Sequence, residues 1–472
     1  MKAVAVPPEV RTAEDEIDAA IHALPLWQAS REALLATLLR VYRETAEALL
    51  LAAAYQAISS ESSAETDAQA ILEMEGLYHR GFFWLFKWAL AWCPEAGATP
   101  EDEEFVDLLH MGSDYQALAD ALWMHKQGWG RVRADPSARL LTVFEGGDQT
   151  GRDQELSRYL HATIALHRHQ SFTHDGDQLA LEWTAGDYRA LGRALIDECV
   201  AKGVETVSCS LTEPAKPLFI RPTVISVPPG LAAKHHALLT SMTMTAEKMA
   251  GRGRWNLNNW FDTPFVIVGG RYLCPSNLIE TIFHPGMDDH MLRVAAAADP
   301  VHYSKVSQLR EGRMTTLCVN ELSKAGWMCT APYTLTNPQS DVDLHAVRGG
   351  QVLILELKST LRPESPREVA SRNEEIHLGL SKSQERRARF RAGTIAAVVT
   401  DGYRGDYRTW ADALRRGVPV LTTGEVSALA TDPAAFVQRL AQWSDSHPVG
   451  SDPLPERETT LMGWRIVLRD EA

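Results

Sequence analysis

A chain of 472 residues, 45% hydrophobic and 23% charged, has the composition of an ordinary soluble globular protein and the length for two or three domains. Its formal net charge of −14 argues against indiscriminate coating of nucleic acid but leaves room for a local basic groove. Cys93, Cys199, Cys209, Cys274, Cys318 and Cys329 contain no Cys-x-x-Cys pair and so indicate neither a disulfide framework nor a zinc finger; with no apolar signal core at the N-terminus, the chain reads as cytoplasmic and reduced.

From Ala13 to about Gln127 helical patterns dominate, with Leu34, Leu38, Val41, Leu49 and Tyr55 among the apolar positions and a break at residues 59–63. The apolar stretches Ala46 to Ala57 and Gly81 to Cys93 fall short of the roughly 20 residues that span a bilayer, so they predict buried helices and no membrane partner. Residues 1–135 are therefore expected to form a mostly α-helical domain.

Residues 136–300 alternate helices with short β-like runs at Leu140 to Glu145, Val204 to Leu211, Thr223 to Val227 and Phe265 to Val268, a mixed α/β region of unknown role. His161, His167, His169 and His174 lack the facing geometry of a metal site and read as surface or helix-terminal residues. His235 and His236 are equally bland, and the Gly-rich run at 250–254 lacks the Lys-Ser/Thr of a phosphate loop. Trp255, Trp260 and Phe261 beside Arg252 and Arg254 have the types that stack on bases, although such aromatics more often anchor a loop.

The C-terminal third carries the sharpest signal. Val306, Leu309, Met314, Leu317, Cys318, Leu322 and Ala325 recur at helical spacing and stop at Gly326; Trp327 to Leu335 then reads as a strand. Gly349-Gly350 supplies the positive φ angles of a two-residue hairpin loop. Counting outward pairs Arg348 with Gln351, Val347 with Val352, His345 with Ile354, Asp343 with Glu356 and Asp341 with Lys358. One face of that hairpin (Val342, Leu344, Ala346, Leu353, Leu355, Leu357) is expected to be core, and the other to carry chemistry.

Directly opposed carboxylates destabilise a sheet unless one takes a proton or a cation sits between them. Asp343 and Glu356 are accordingly expected to hold Mg²⁺ or Mn²⁺, with Lys358 orienting a water or neutralising charge on a phosphate. The plainer reading, Asp341 with Lys358 as a cross-strand ion pair, contributes about 0–1 kcal/mol if exposed.

Asp343, twelve intervening residues and Glu356-Leu357-Lys358 resemble the signature of the PD-(D/E)xK nuclease superfamily, and Ser340 to Leu344 is similar to the Gly-Glu-x-Asp-Leu version with Asp341 in place of its Glu. The resemblance covers about 305–425. It implies a restriction-endonuclease-like α/β domain with a central mixed sheet (301–450, followed by an extension at 451–472), so that the whole chain is a mixed, multi-domain α+β protein. It implies metal ligation by Asp343, Glu356 and the Leu357 carbonyl, and catalysis with Lys358. It suggests Gln384 on the following helix, and Glu321 as the nearest substitute for a first-helix acid whose expected slot near Thr315 or Thr316 is not acidic.

After Lys358, a helix from about Asn373 to Arg391, a strand at Thr394 to Thr400, a helix at Tyr407 to Arg416 and a strand at Val418 to Thr422 match that family's order. Lys382, Arg386, Arg387, Arg389 and Arg391 on the first of these helices are candidates for phosphate contacts. The expected activity is Mg²⁺-dependent phosphodiester hydrolysis, in DNA ahead of RNA, with phage defence, restriction or DNA repair as settings. A homodimer or a protein partner through the N-terminal region fits the layout. The alternatives are a non-catalytic nucleic-acid-binding protein on the same fold, or a metal-dependent phosphohydrolase of a small substrate.

Overall fold

The computed structural model describes residues 4–59, 64–100, 105–127, 130–145, 172–201, 223–251, 260–283, 288–333, 341–359, 366–446 and 457–470. The architecture is mixed α/β, with long helices and several small mixed sheets. Val204 to Leu211, His161, His167, His169, Arg252, Arg254 and Trp255 lie outside the described residues.

The chain divides into two compact units: residues 1–143, 175–300 and 457–468 form one, and 144–174, 301–456 and 469–472 the other. The helical and mixed stretches expected as separate domains thus share a unit. One physical reason is a four-stranded sheet in which strands Arg131–Asp135 and Leu140–Glu145 pair with the C-terminal hairpin Arg457–Leu461 and Trp464–Asp470, so the expected extension completes a sheet begun more than 300 residues earlier.

In the first unit, helices Arg31–Ser59, Ala64–Trp92 and Phe105–Gln127 pack successively. The last two approach closely at Gly81, where a Cβ would lie 2.4 Å from the Leu109 carbonyl oxygen, so only glycine fits. Trp260 is buried among Tyr42, Phe82 and Phe86, which makes it core rather than a base-stacking platform. Among the described residues no helix is long and apolar enough to cross a membrane.

The second unit holds helix α1 (Pro300–Lys324), strands β1 (Met328–Thr330), β2 (Leu344–Arg348) and β3 (Gln351–Lys358), helix α2 (Pro366–Arg387), strand β4 (Ile395–Thr400), helix α3 (Tyr407–Arg415), strand β5 (Val420–Thr422) and helices α4 (Val426–Thr431) and α5 (Pro433–Ser446). The sheet order is β5-β4-β3-β2-β1, antiparallel from β1 to β3 and parallel from β3 to β5. Gly326 (φ 83°) ends α1, and Gly349 (φ 53°) with Gly350 (φ 83°) makes the β2–β3 turn. The first strand is shorter than expected, and residues 334 and 335 are outside the described set.

Two expectations about the hairpin need correction. Its register is as counted from Gln351↔Arg348 to Ile354↔His345, but the ladder ends at Leu355↔Leu344, and Asp343 sits in a bend beyond it. The second face is also not open: Val352, Ile354 and Glu356 are buried with Leu353, Leu355 and Leu357, because β3 is the central strand and α2 packs on it and on β4. A strand covered on both faces reads as a continuous apolar run, as Val352 to Leu355 does.

Candidate functional site

β3 outruns β2, and that mismatch builds the site. Past Leu355 the main-chain edge of β3 has lost its ladder partner, and its N–H groups need acceptors. The Leu357 N–H donates to Asp343 Oδ2 at 2.7 Å, and the Ser359 N–H lies close enough to Glu311 on α1 to favour its ionised carboxylate. The N–H and C=O of one strand residue project from the same edge, so the Leu357 carbonyl faces the side on which Asp343 stands.

Glu356, 3% exposed, is bound by two cations: Lys358 Nζ lies 2.9 Å from Oε1, and Arg386 Nη1 donates to Oε2. The stem of Lys358 runs along Gly379 of α2, where a Cβ would lie 3.6 Å from Lys358 Cε and 3.5 Å from Val398. An alanine at 379 would make ordinary van der Waals contact there, whereas a side chain reaching beyond Cβ would press on the lysine.

Burial raises the carboxyl pKa of Asp343, and neighbouring Glu356 raises it further, against the opposing pull of the Leu357 N–H, Lys358 and Arg386. Glu311 is likewise raised, chiefly by burial, with Lys358 and the Ser359 N–H opposing and Asp343 and Asp401 adding to it. Three carboxylates and a main-chain carbonyl near one strand end are hard-oxygen donors, the ligand type that Mg²⁺ and Mn²⁺ take. Among the described residues no group of three His, Cys, Asp or Glu side chains is already arranged to hold a metal ion.

A buried ion pair supports the same strand end. Arg310 Nη2 and Ser359 Oγ both donate to Asp401 Oδ2, each at 2.9 Å, with the Arg310 and Asp401 side chains 6% and 2% exposed. Arg310 precedes Glu311 and Ser359 follows Lys358, so this pair ties α1, β3 and the end of β4 together beside the site.

The structure thus brings together Asp343, Glu356, Leu357, Lys358 and Arg386. Glu321 is elsewhere, paired with Lys324 Nζ at 2.6 Å on the last turns of α1. The helical acid at the site is Glu311, which sequence reasoning missed. It precedes Cys318 by seven residues and Leu322 by eleven, a spacing that keeps it on the helix face that is buried.

Gln384 is exposed, as are Lys382, Arg389 and Arg391. Arg387 points to the end of α3, donating to the Gly417 carbonyl and, at 3.0 Å, to that of Arg416. Both Arg386 and Arg387 leave the solvated face because they continue the stripe of Ile376, Gly379, Leu380 and Ser383. Asp341 is exposed, and Lys358 pairs with Glu356. On β2, His345 stacks between Tyr333 (ring centroids 4.2 Å apart) and Phe390 (5.4 Å), and burial lowers its pKa.

No family model matches the chain, and no curated protein matches it. Among solved structures it is similar to the protein VC1899 from Vibrio cholerae, at 11% identity over 55% of this chain and 58% of that one, with a TM-score of 0.19. The chain spans just over half the length of that protein. A likeness at that level carries no argument.

Proposed function

We propose that the second unit is a metal-dependent nuclease of the PD-(D/E)xK type that hydrolyses phosphodiester bonds, in DNA ahead of RNA. The observation that carries this reading is the meeting of Asp343, Glu356, Lys358 and Glu311 at the end of β3, with the Asp343 carboxylate on the Leu357 N–H. Bound Mg²⁺ or Mn²⁺ would supply a Lewis acid on the scissile phosphate and a water of lowered pKa. Asp343, Glu356 and the Leu357 carbonyl would hold the ion. Lys358 would orient the attacking water and offset charge developing on the phosphate, with the Glu311 carboxylate acting electrostatically on the same lysine. Exposed Lys382, Arg389 and Arg391 would receive backbone phosphates.

A second reading, a nucleic-acid-binding protein without catalysis, is favoured by one observation: both oxygens of Glu356 are held by cations. Incubating the protein with supercoiled plasmid, linear duplex, single-stranded DNA and RNA in Mg²⁺ or Mn²⁺ separates the two. The nuclease reading expects cleavage that EDTA blocks and that Asp343→Ala and Glu356→Ala abolish. Binding without cleavage, unchanged by EDTA, is the outcome for the binder.

A further inference from the structure

Metal ligation does not call for the contact between Arg386 and Glu356, and that contact works against it. Glu356 offers a cation two oxygens, and Lys358 and Arg386 occupy them. Lys358 belongs to β3 itself, two residues from Glu356, with its stem along the Gly379 backbone and its side chain 26% exposed. Arg386 reaches the same carboxylate from α2, 14% exposed in its side chain where Glu356 is 3%. Its neighbour Arg387 fastens the end of α2 to the Gly417 and Arg416 carbonyls, so Arg386 can move without freeing the helix.

We infer that Arg386 is a substrate-sensing latch, covering Glu356 until a backbone phosphate draws the guanidinium away, so that the divalent cation binds tightly only when the polymer is present. This rests on the nuclease reading and specifies how that site is regulated. The exchange is chemically matched, because an arginine fork pairs with phosphate as readily as with carboxylate. It is also matched in charge. Glu311, Asp343 and Glu356 against Lys358 and Arg386 leave one net negative charge; with Arg386 moved to a phosphate, two remain, which suits a dication. Exposed Lys382, Arg389 and Arg391 on and after the same helix end would bring the backbone to Arg386. By linkage, the metal must then tighten nucleic-acid binding by the same factor.

The test is Mn²⁺ affinity, read by electron paramagnetic resonance of free Mn²⁺, for the full chain and its Arg386→Gln and Arg386→Lys variants. Each is measured alone, with phosphorothioate DNA and with uncharged methylphosphonate DNA. Phosphorothioate DNA is expected to raise wild-type affinity about tenfold or more, within the usual range of coupling between sites. Methylphosphonate DNA should not. Arg386→Gln should bind Mn²⁺ tightly without DNA and gain less than about twofold from it, and Arg386→Lys, which keeps the charge, should retain coupling. Equal Mn²⁺ affinity of wild type and Arg386→Gln without DNA would overturn the latch while leaving the metal site intact. Absence of Mn²⁺ binding in every form, with or without DNA, would overturn the metal reading itself.

Discussion

Replacing Asp401 by leucine removes the counter-ion of the buried Arg310 guanidinium. Arg310 Nε and Nη1 are buried without a hydrogen-bond partner among the described residues, and Nη2 rests on Asp401 at 2.9 Å. Stranding a buried charge in this way costs about 3–5 kcal/mol, whereas replacing both partners by apolar residues of similar volume is often neutral. A domain of this size shifts its melting temperature by about 2–4 °C per kcal/mol, so Asp401→Leu or Arg310→Met should lower the transition of the second unit by about 6–20 °C. The Arg310→Met/Asp401→Leu double variant should recover most of that loss. Differential scanning calorimetry of the full chain measures all four corners of the cycle. Single losses below about 1 kcal/mol, or losses that add in the double variant, would refute the buried pair as the support of the strand end.

The raised pKa values of Asp343 and Glu311 make stability pH-dependent with a definite sign. A carboxyl whose folded pKa lies above its unfolded value contributes stability that is full below the unfolded pKa, about 4, and is lost as pH rises through the folded one. In EDTA the melting temperature should therefore fall as pH rises from about 4, and Asp343→Asn should flatten the slope and raise stability at pH 7; a steeper slope would contradict the assignment. Gly379→Ala and Gly405→Ala should part company in thermal melts. The first meets nothing nearer than 3.5 Å and gains about 0.5–1 kcal/mol of helix propensity, while the second, at φ +92° and 2.9 Å from Thr409 Cγ2, loses about 1–2 kcal/mol. Arg387→Ala should cost about 1 kcal/mol without changing DNA affinity. Lys382→Ala, Arg389→Ala and Arg391→Ala should each leave melting unchanged and reduce the salt dependence of DNA binding by up to about one unit of slope.

Much of the second unit is legible in its sequence because its signals are local. Two glycines set the turn between β2 and β3, Gly326 stops α1, and the apolar run at 395–400 becomes β4. The hairpin register followed from the turn alone as far as Leu344. What the turn could not reveal was where β2 would stop, and that stop turns Asp343 from a cross-strand partner into an acceptor for the Leu357 N–H. Glu311 was missed, and Arg386 was read as a phosphate contact and not as a partner of Glu356, for a related reason. Each was counted from the wrong reference, a motif position or a run of like charges, when helical spacing from buried neighbours (Met314 and Cys318 for one, Gly379 and Ser383 for the other) aims them at the sheet. The pairing of the C-terminal hairpin with strands near residue 140 is a long-range fact that no local pattern encodes.

The central claim is hydrolysis at the end of β3, and the most direct measurement is the Mg²⁺-dependent DNA cleavage rate of wild type against Lys358→Met, with Mn²⁺ affinity measured on the same samples. A loss of about 10²–10⁴ in rate with Mn²⁺ binding retained is expected, the magnitude for losing a positioned proton-transfer or charge-stabilising group. Cleavage by Lys358→Met at the wild-type rate, or no metal-dependent cleavage of any nucleic acid by the wild type, would contradict that claim.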